Sequence, residues 1–344
     1  MSASSKSVFL LGPGLVGRNV VDLLLVEGYS VTTLVRRESA AAELQKDGVK
    51  TIHGTLANSE VITKQTIACD IVFHIATADD LPSVQAVLEG VKFRAQAGQQ
   101  TIYIHTSGTG LFGDAAMGQY KGERVYSDDK PHDIDALPDT APHRTIDLTI
   151  IRARQELGSR VKVAIMIPPL IYGIQHKYKR LSIQLPTLAR FALKHGYAGQ
   201  VGEGRSVWST IHVLDLARGY ITLLHWLEKT SAVTVLENPY FFCESGDDIA
   251  WAEPIAVIGQ ALHAAGRIKD PAPKTIPEQD YKDLFGEFTP LVVGSNCRSR
   301  ATRLRQLGWQ PREKGVLESL RDDELPLLLQ ETGEFNGYTG VAAS

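Results

Sequence analysis

Cysteine is scarce in this chain. Its 344 residues hold three, Cys69, Cys243 and Cys297, far apart and with no Cys-x-x-Cys pair. That pattern excludes a disulfide framework and a cysteine metal site and fits a reducing compartment; Cys69 and Cys243 fall beside or within predicted strands, where a free thiol behaves as a small hydrophobe. No apolar run approaches the ~20 residues of a membrane span. The segment Met1–Ser7 is too polar and short for a signal peptide, so a cytoplasmic protein with no membrane partner is the expectation. Charge of one sign is missing too: 36 Lys+Arg against 39 Asp+Glu leave a formal net charge of −3, and nothing points to nucleic acid. The two locally basic stretches, 176–180 and Arg298–Arg305, read first as a solvated loop and helix face. There is no solenoid repeat, no low-complexity segment and no calcium-loop spacing in Glu244–Asp248. What remains is an ordinary globular composition, 43% apolar and 22% charged, long enough for one large domain or two closely associated ones.

The most informative stretch is Val8-Phe9-Leu10-Leu11-Gly12-Pro13-Gly14-Leu15-Val16-Gly17. A short apolar run leads into Gly-x-Gly-x-x-Gly and then into a helix pattern. Gly12 makes the tight turn, Gly14 lets the backbone approach a pyrophosphate, and Gly17 lets the helix pack closely on its strand, with the helix N-terminus facing the phosphates. The helix stops at Gly28, and Tyr29–Val35 reads as the second strand. An NAD-preferring site carries Asp or Glu just beyond that strand; here stand Arg36 and Arg37. Paired guanidinium donors suit a 2′-phosphate, so NADP(H) is the preferred cofactor and NAD(H) the alternative. The plainer account is a solvated pair of surface arginines.

Further strands are expected at Lys50–Gly54, Asp70–Ala76, Thr101–Thr106 and Arg160–Ile167, with helices at 58–68 and 81–99 between them. Strand and helix in alternation predict an α/β fold, a doubly wound parallel sheet of Rossmann type with a smaller C-terminal substrate lobe. Residues 1–175 form the dinucleotide-binding domain on this reading, completed by 206–245 (strands at Ser209–Val213 and Tyr240–Cys243, a helix at 214–229). Residues 176–205 and 246–336 supply the substrate lobe, and 337–344 a flexible tail. The acidic stretch 114–142 reads as a surface excursion.

These landmarks together resemble a family. Leu11–Gly17, Asp70–Ala76, Tyr103–Gly113, Ile167–Gly173, Trp208–Ala217 and Arg305–Pro311 are similar, in order, to the motifs of the extended or atypical short-chain dehydrogenases/reductases, the nucleotide-sugar epimerase/dehydratase superfamily. The resemblance spans roughly residues 8–325. It implies that Gly12, Gly14, Leu15, Val16 and Gly17 cradle the pyrophosphate and that Arg36, beside Arg37, meets the adenosine ribose or its phosphate. Ala76 and Thr77 would line the cofactor, and Pro168, Pro169, Leu170 and Ile171 would lie along the nicotinamide. Where the family has Asp-Leu near the adenine this chain has Thr55-Leu56, so Leu56 is retained as a contact and the carboxylate is absent.

The catalytic positions depart from the family. Its substrate-binding Ser or Thr falls on Gly108, leaving Ser107 and Thr109 on either side to polarise a carbonyl. The helix expected at about 141–157 should carry Tyr-x-x-x-Lys, in which the ammonium makes the phenol a usable acid/base. It has no tyrosine. His143 and Asp147 stand four apart there and can face each other as a carboxylate-oriented acid/base; the bland alternative is a capping or packing His with Asp147 in a helix ion pair. The literal Tyr126-Ser127-Asp128-Asp129-Lys130 precedes Pro131 in the acidic stretch and reads as a decoy. His74 and His105 can point at the crevice but read first as core or sheet-face histidines. Asp79-Asp80 after the fourth strand can touch a substrate but reads first as a solvated loop, and Trp208 reads as either core or pocket lining.

Function follows as an expectation: an NADP(H)-dependent oxidoreductase acting on a small carbonyl or hydroxyl metabolite, with His143 as proton donor. The rivals are an NmrA-like NADP-binding redox sensor, which lacks the Tyr/Lys pair, and a non-redox isomerase, lyase or cyclase. The substrate is a small molecule of unassigned type, and a homodimer is the commonest soluble assembly.

Overall fold

The computed structural model describes residues 6–175, 177–333, 335, 337 and 338. Five apolar strands, β1 (Ser7–Leu11), β2 (Ser30–Val35), β3 (Lys50–His53), β4 (Ile71–His74) and β5 (Thr101–Thr106), alternate with α1 (Leu15–Val26), α2 (Glu38–Lys46), α3 (Ser59–Ala68) and α4 (Leu81–Gln96). Two short pieces, β6 (Tyr126–Ser127) and α5 (Pro131–Asp135), precede α6 (Arg144–Leu157), β7 (Val161–Ile167) and β8 (Leu170–Tyr172). There follow α7 (Gln184–His195), β9 (Gly199–Gln200), β10 (Val207–His212), α8 (Val213–Lys229), α9 (Ala232–Val235) and β11 (Tyr240–Phe242). Finally β12 (Asp248–Ala250) and α10 (Ala252–Ala264) lead into short helical turns.

Seven strands form one parallel sheet in the order β11-β7-β5-β4-β1-β2-β3. Every residue of β7, Val-Lys-Val-Ala-Ile-Met-Ile, is buried, as a strand covered on both faces demands. The chain winds from β1 to β2 and β3 on one side and to β4, β5 and β7 on the other. Strand order therefore reverses between β1 and β4, the place where such sheets open a ligand crevice. A second, three-stranded sheet, β12-β10-β8, carries its own core, in which Leu170, Phe191, Trp208, Trp251 and Ile255 are buried together. Trp208 is core: its indole N–H donates to the Ser295 carbonyl at 2.8 Å and its ring meets Trp251. Among the described residues no helix is long and apolar enough to cross a membrane.

The stretch 114–142 runs largely over the surface, as expected, but it is anchored at buried points. Tyr126 and Asp128 are buried, and β6 pairs with Ser299–Arg300. The two Asp128 oxygens accept from the backbone N–H groups of Phe242 (2.9 Å) and Arg303 (3.0 Å), donors that would otherwise be orphaned. Acidic composition suggests solvent, but a carboxylate is also the acceptor that stranded amides need. Of the expected flexible tail, only Gly337 and Tyr338 are described, and both are packed: the Tyr338 amide donates to the Leu284 carbonyl at 2.7 Å. The rest of that tail, and His176 of the basic run, lie outside the described residues.

A buried carboxyl joins the two halves. Glu324, fully enclosed in a wide helical turn over Leu320–Glu324, accepts from the Gly173 amide at 3.0 Å and faces Ser182 Oγ at 3.4 Å. Burial raises its pKa from 4.5 to about 7. Between those values the folded chain holds a proton that the unfolded chain has lost, so stability falls as pH rises through that window. Glu324→Gln keeps the acceptor for Gly173 without the titration. By urea unfolding, the variant should equal the parent near pH 5 and exceed it at pH 8 by on the order of 1 kcal/mol or more. Parallel pH profiles for the two chains would show that Glu324 titrates alike in both states.

Candidate active site

The glycine loop is built by close approach. Gly12, at φ +91°, sits so near the end of β4 that a Cβ there would stand 2.3 Å from Ala76 Cα, and one on Gly17 would stand 2.0 Å from the Gly12 carbonyl oxygen. A Cβ on Gly14 would meet nothing within 4 Å. Gly14 caps α1 through its backbone with no side chain on the first-turn amides, and Leu15 and Val16 beside it are half-exposed. Open amides at a helix N-terminus, next to a glycine facing open space, fit a pyrophosphate.

The other expected cofactor contacts gather at the same end of the sheet. Arg36 and Arg37 are exposed beyond β2, the Arg36 carbonyl meeting His53 Nε2 at 3.0 Å and Arg37 standing at the start of α2. Leu56 is half-buried beyond β3; Ala76 is exposed and Thr77 half-buried beyond β4. Pro168, Pro169 and Leu170 are buried beyond β7, with Ile171 half-buried. The Pro168 carbonyl accepts from the Thr109 amide at 3.1 Å, joining the loops after β5 and β7. The Leu170 side chain belongs to the second core, so only its backbone is available to a ligand.

His143 and Asp147 do not face each other, contrary to the expectation from their spacing. The helix begins at Arg144, and His143 precedes it in the left-handed region at φ +65°. That backbone turns the imidazole away from the helix and toward the loop after β4, where Nδ1 meets Asp79 Oδ1 at 2.6 Å. A non-glycine residue in this conformation costs of order 1–3 kcal/mol, and such residues cluster at functional sites. Asp147 points the other way and accepts from Ser107 Oγ at 2.8 Å. Burial lifts the Asp147 pKa from 3.8 to about 7, opposed by the Ser107 hydrogen bond.

Gly108 has no side chain where the family has a hydroxyl, and the imidazole stands over the gap. A Cβ on Gly108 would lie 3.3 Å from His143 Nε2, and one on Gly110 would lie 3.1 Å from it. Two glycines thus make room for one imidazole edge at the end of β5. Ser107 and Thr109 are 4% and 1% exposed, so neither hydroxyl reaches the crevice as expected of a group that polarises a substrate. Thr109 Oγ1 and Asp147 Oδ1 are buried without a partner among the described residues.

Asp79 is on an exposed loop, its side chain 64% accessible, and what sequence reasoning did not pair it with is His143. The available signal was its place just beyond β4, where a parallel sheet presents its ligand-facing loops. Asp80 caps α4, accepting from the Ser83 amide at 2.9 Å. His74 and His105 are wholly buried, their rings 5.2 Å apart, and burial depresses both pKa values, His74 to about 4. In the Tyr126–Lys130 stretch Tyr126 lies on a strand and Lys130 just before a helix, an arrangement that shares no helical face.

Residues 12–153 match a family model described as NAD(P)H-binding. Over 97% of its length the chain is 26% identical to the whole of the "Oxidase ucsJ" of Acremonium sp. It is also 26% identical, over 61% of each chain, to a 4-hydroxy-2-methyl-3-oxo-4-farnesyl-3,4-dihydroquinoline-1-oxide ketoreductase of Stigmatella aurantiaca. Among solved structures, UDP-glucose 4-epimerase of Thermotoga maritima superposes with a TM-score of 0.64 at 17% identity, covering 94% of this chain and 100% of that one. The dTDP-glucose 4,6-dehydratase of Bacillus anthracis, in complex with NAD, gives a TM-score of 0.64 at 14% identity, covering 95% and 98%. Residues 12–153 are thus similar to NAD(P)H-binding domains, and the chain shares the fold of these epimerase and dehydratase structures.

Proposed function

We propose that the protein is an NADP(H)-dependent oxidoreductase that interconverts a carbonyl and a hydroxyl on a small molecule, with His143 in place of the family's tyrosine. The observation that carries this reading is the imidazole clamped by Asp79 at 2.6 Å with its free edge over Gly108 and Gly110. The oxidase, ketoreductase and dehydrogenase names of the relatives support the redox class.

When bound, the cofactor supplies the hydride that the carbonyl carbon accepts. The chain's own residues handle the proton. Asp79 accepts from Nδ1–H, which fixes the ring and leaves Nε2 facing the glycine gap. Nε2–H gives its proton to the carbonyl oxygen as that atom becomes a hydroxyl, and the half-exposed His143–Asp79 pair exchanges with solvent to recover it. Ser107 and Asp147 hold the loop after β5 against α6 from beneath. Arg36 and Arg37, beyond β2, carry the NADP preference through donors to the 2′-phosphate.

Titration by thermal shift should show NADPH and NADP⁺ binding roughly tenfold or more tightly than NADH and NAD⁺, with Arg36→Ser reducing the difference. Equal affinities for both pairs would remove the arginine reading. With an accepted carbonyl substrate, His143→Ala should lower kcat by roughly 10²–10⁴-fold at unchanged NADPH affinity. Asp79→Asn should lower it less, since Asn does not hold the ring in the same tautomer. Tight NADPH binding with no oxidation by any of a broad carbonyl panel would favour the sensor reading instead.

A further inference from the structure

A cavity of about 450 Å³, within the range of small-molecule sites, is lined by the residues that follow Gly110 and precede His143, though not by His143 itself. Its floor is Leu111–Gly113, which continues the Gly108–Gly110 loop, and one wall runs through Ala136, Leu137 and Pro138 to Pro142, the residue before His143. Most of this surface is apolar. The polar groups on it are nearly all engaged within the protein. Asn296 donates to Asp114 Oδ2 and the Tyr120 carbonyl and accepts from the amides of Gly122 and Val207. Arg298 is taken by Asp248 (2.9 Å) and the Gly122 carbonyl (3.0 Å).

Arg124 is different. Its guanidinium carbon lies over Tyr126, 4.4 Å from the ring centroid, and Tyr126 in turn stacks on Phe112 at 4.1 Å. Stacking fixes the plane of the guanidinium and leaves its N–H edge available. Among the described residues no carboxylate stands within ion-pair distance of it, nor does the Tyr126 hydroxyl have a protein partner. Asp133 sits on the same wall. One available cation with a carboxylate nearby suits a single negative charge and is poorly matched to a diphosphate.

We infer that this cavity is the substrate pocket and that it selects a compact carbonyl compound with an apolar body and one carboxylate, which Arg124 receives. This rests on the oxidoreductase reading above for the placement of the carbonyl at His143. It departs from the nucleotide sugars named for the structural neighbours, because among the described residues the other cation on the cavity wall, Arg298, is already engaged by Asp248 and Gly122.

The test uses the full chain saturated with NADP⁺, so that binding is read by calorimetry without turnover. The probes are 4-acetylbenzoate, its methyl ester and UDP-glucose. The acid should bind about tenfold or more tightly than the ester, as one charge-assisted contact warrants. Arg124→Gln, on an exposed residue whose loss leaves the fold intact, should bring acid and ester within about twofold, and Arg124→Lys should restore part of the gap. Leu137→Trp, which fills the cavity, should abolish binding of both. An ester that matches the acid, an acid preference that survives Arg124→Gln, or UDP-glucose binding more tightly than the acid overturns the inference. The same titrations on His143→Phe, and on the chain without nucleotide, separate the two readings. In the parent chain, probe binding without turnover counts against the oxidoreductase reading alone, turnover undiminished in His143→Phe counts against His143 alone, and lost charge selectivity with turnover intact counts against the pocket alone.

Discussion

The crevice depends on how closely the backbone of Gly12 approaches that of Ala76. No side chain fits between them, and the same economy of atoms recurs where Gly17 meets the Gly12 carbonyl. These two contacts set α1 against β1 and β4 and so aim its free amides across the sheet edge. Everything placed beyond the strands is referred to that edge: the arginines after β2, Asp79 after β4, the glycines after β5 and the prolines after β7. A methyl group at Gly12 would move the frame on which all of them are measured, which is a tighter constraint than any single hydrogen bond in the site.

Beneath the crevice lies an unusually polar layer for the centre of a parallel sheet. His74 and His105 are paired in register across β4 and β5, with Tyr103 and Ser83 beside them and the Ser107–Asp147 pair adjoining. His74 Nδ1, His105 Nε2, Thr109 Oγ1 and Asp147 Oδ1 have no partner among the described residues. Buried groups of this kind cost free energy in proportion to their desolvation, and a well-packed apolar layer would hold the sheet together at least as firmly. Ser107 and Thr109 flank Gly108, over which the His143 imidazole stands, so part of this layer adjoins the site.

Much of the architecture is legible in the chain because it rests on local patterns. Apolar runs of five to seven residues, glycine punctuation and the Gly-x-Gly-x-x-Gly turn mark the strands and the first helix within a residue or two, as at Thr101–Thr106. The site is less legible because it turns on conformations that composition does not encode. Regular helical spacing points His143 at Asp147, and a single left-handed residue ahead of the helix reverses that direction. Asp79 looks like any loop carboxylate until the fold brings it beside an imidazole 64 positions away. Asp128 looks solvated until two amides from distant parts of the chain converge on it. In each case the sequence shows the chemical group and conceals its partner.

The last strand of the main sheet comes from far along the chain. Tyr240–Phe242 pair with β7 through Ile165, Met166 and Ile167, and all three are buried. Until that segment has been synthesised, β7 presents an unpaired edge, apolar but for Lys162, at the border of an otherwise formed sheet. Exposed edges of this sort are templates for wrong pairing. The first half of the molecule is therefore not an independent folding unit during translation: its most aggregation-prone surface stays open for some 70 residues of further synthesis, and the lobe between the two strands must be threaded out before the sheet can close.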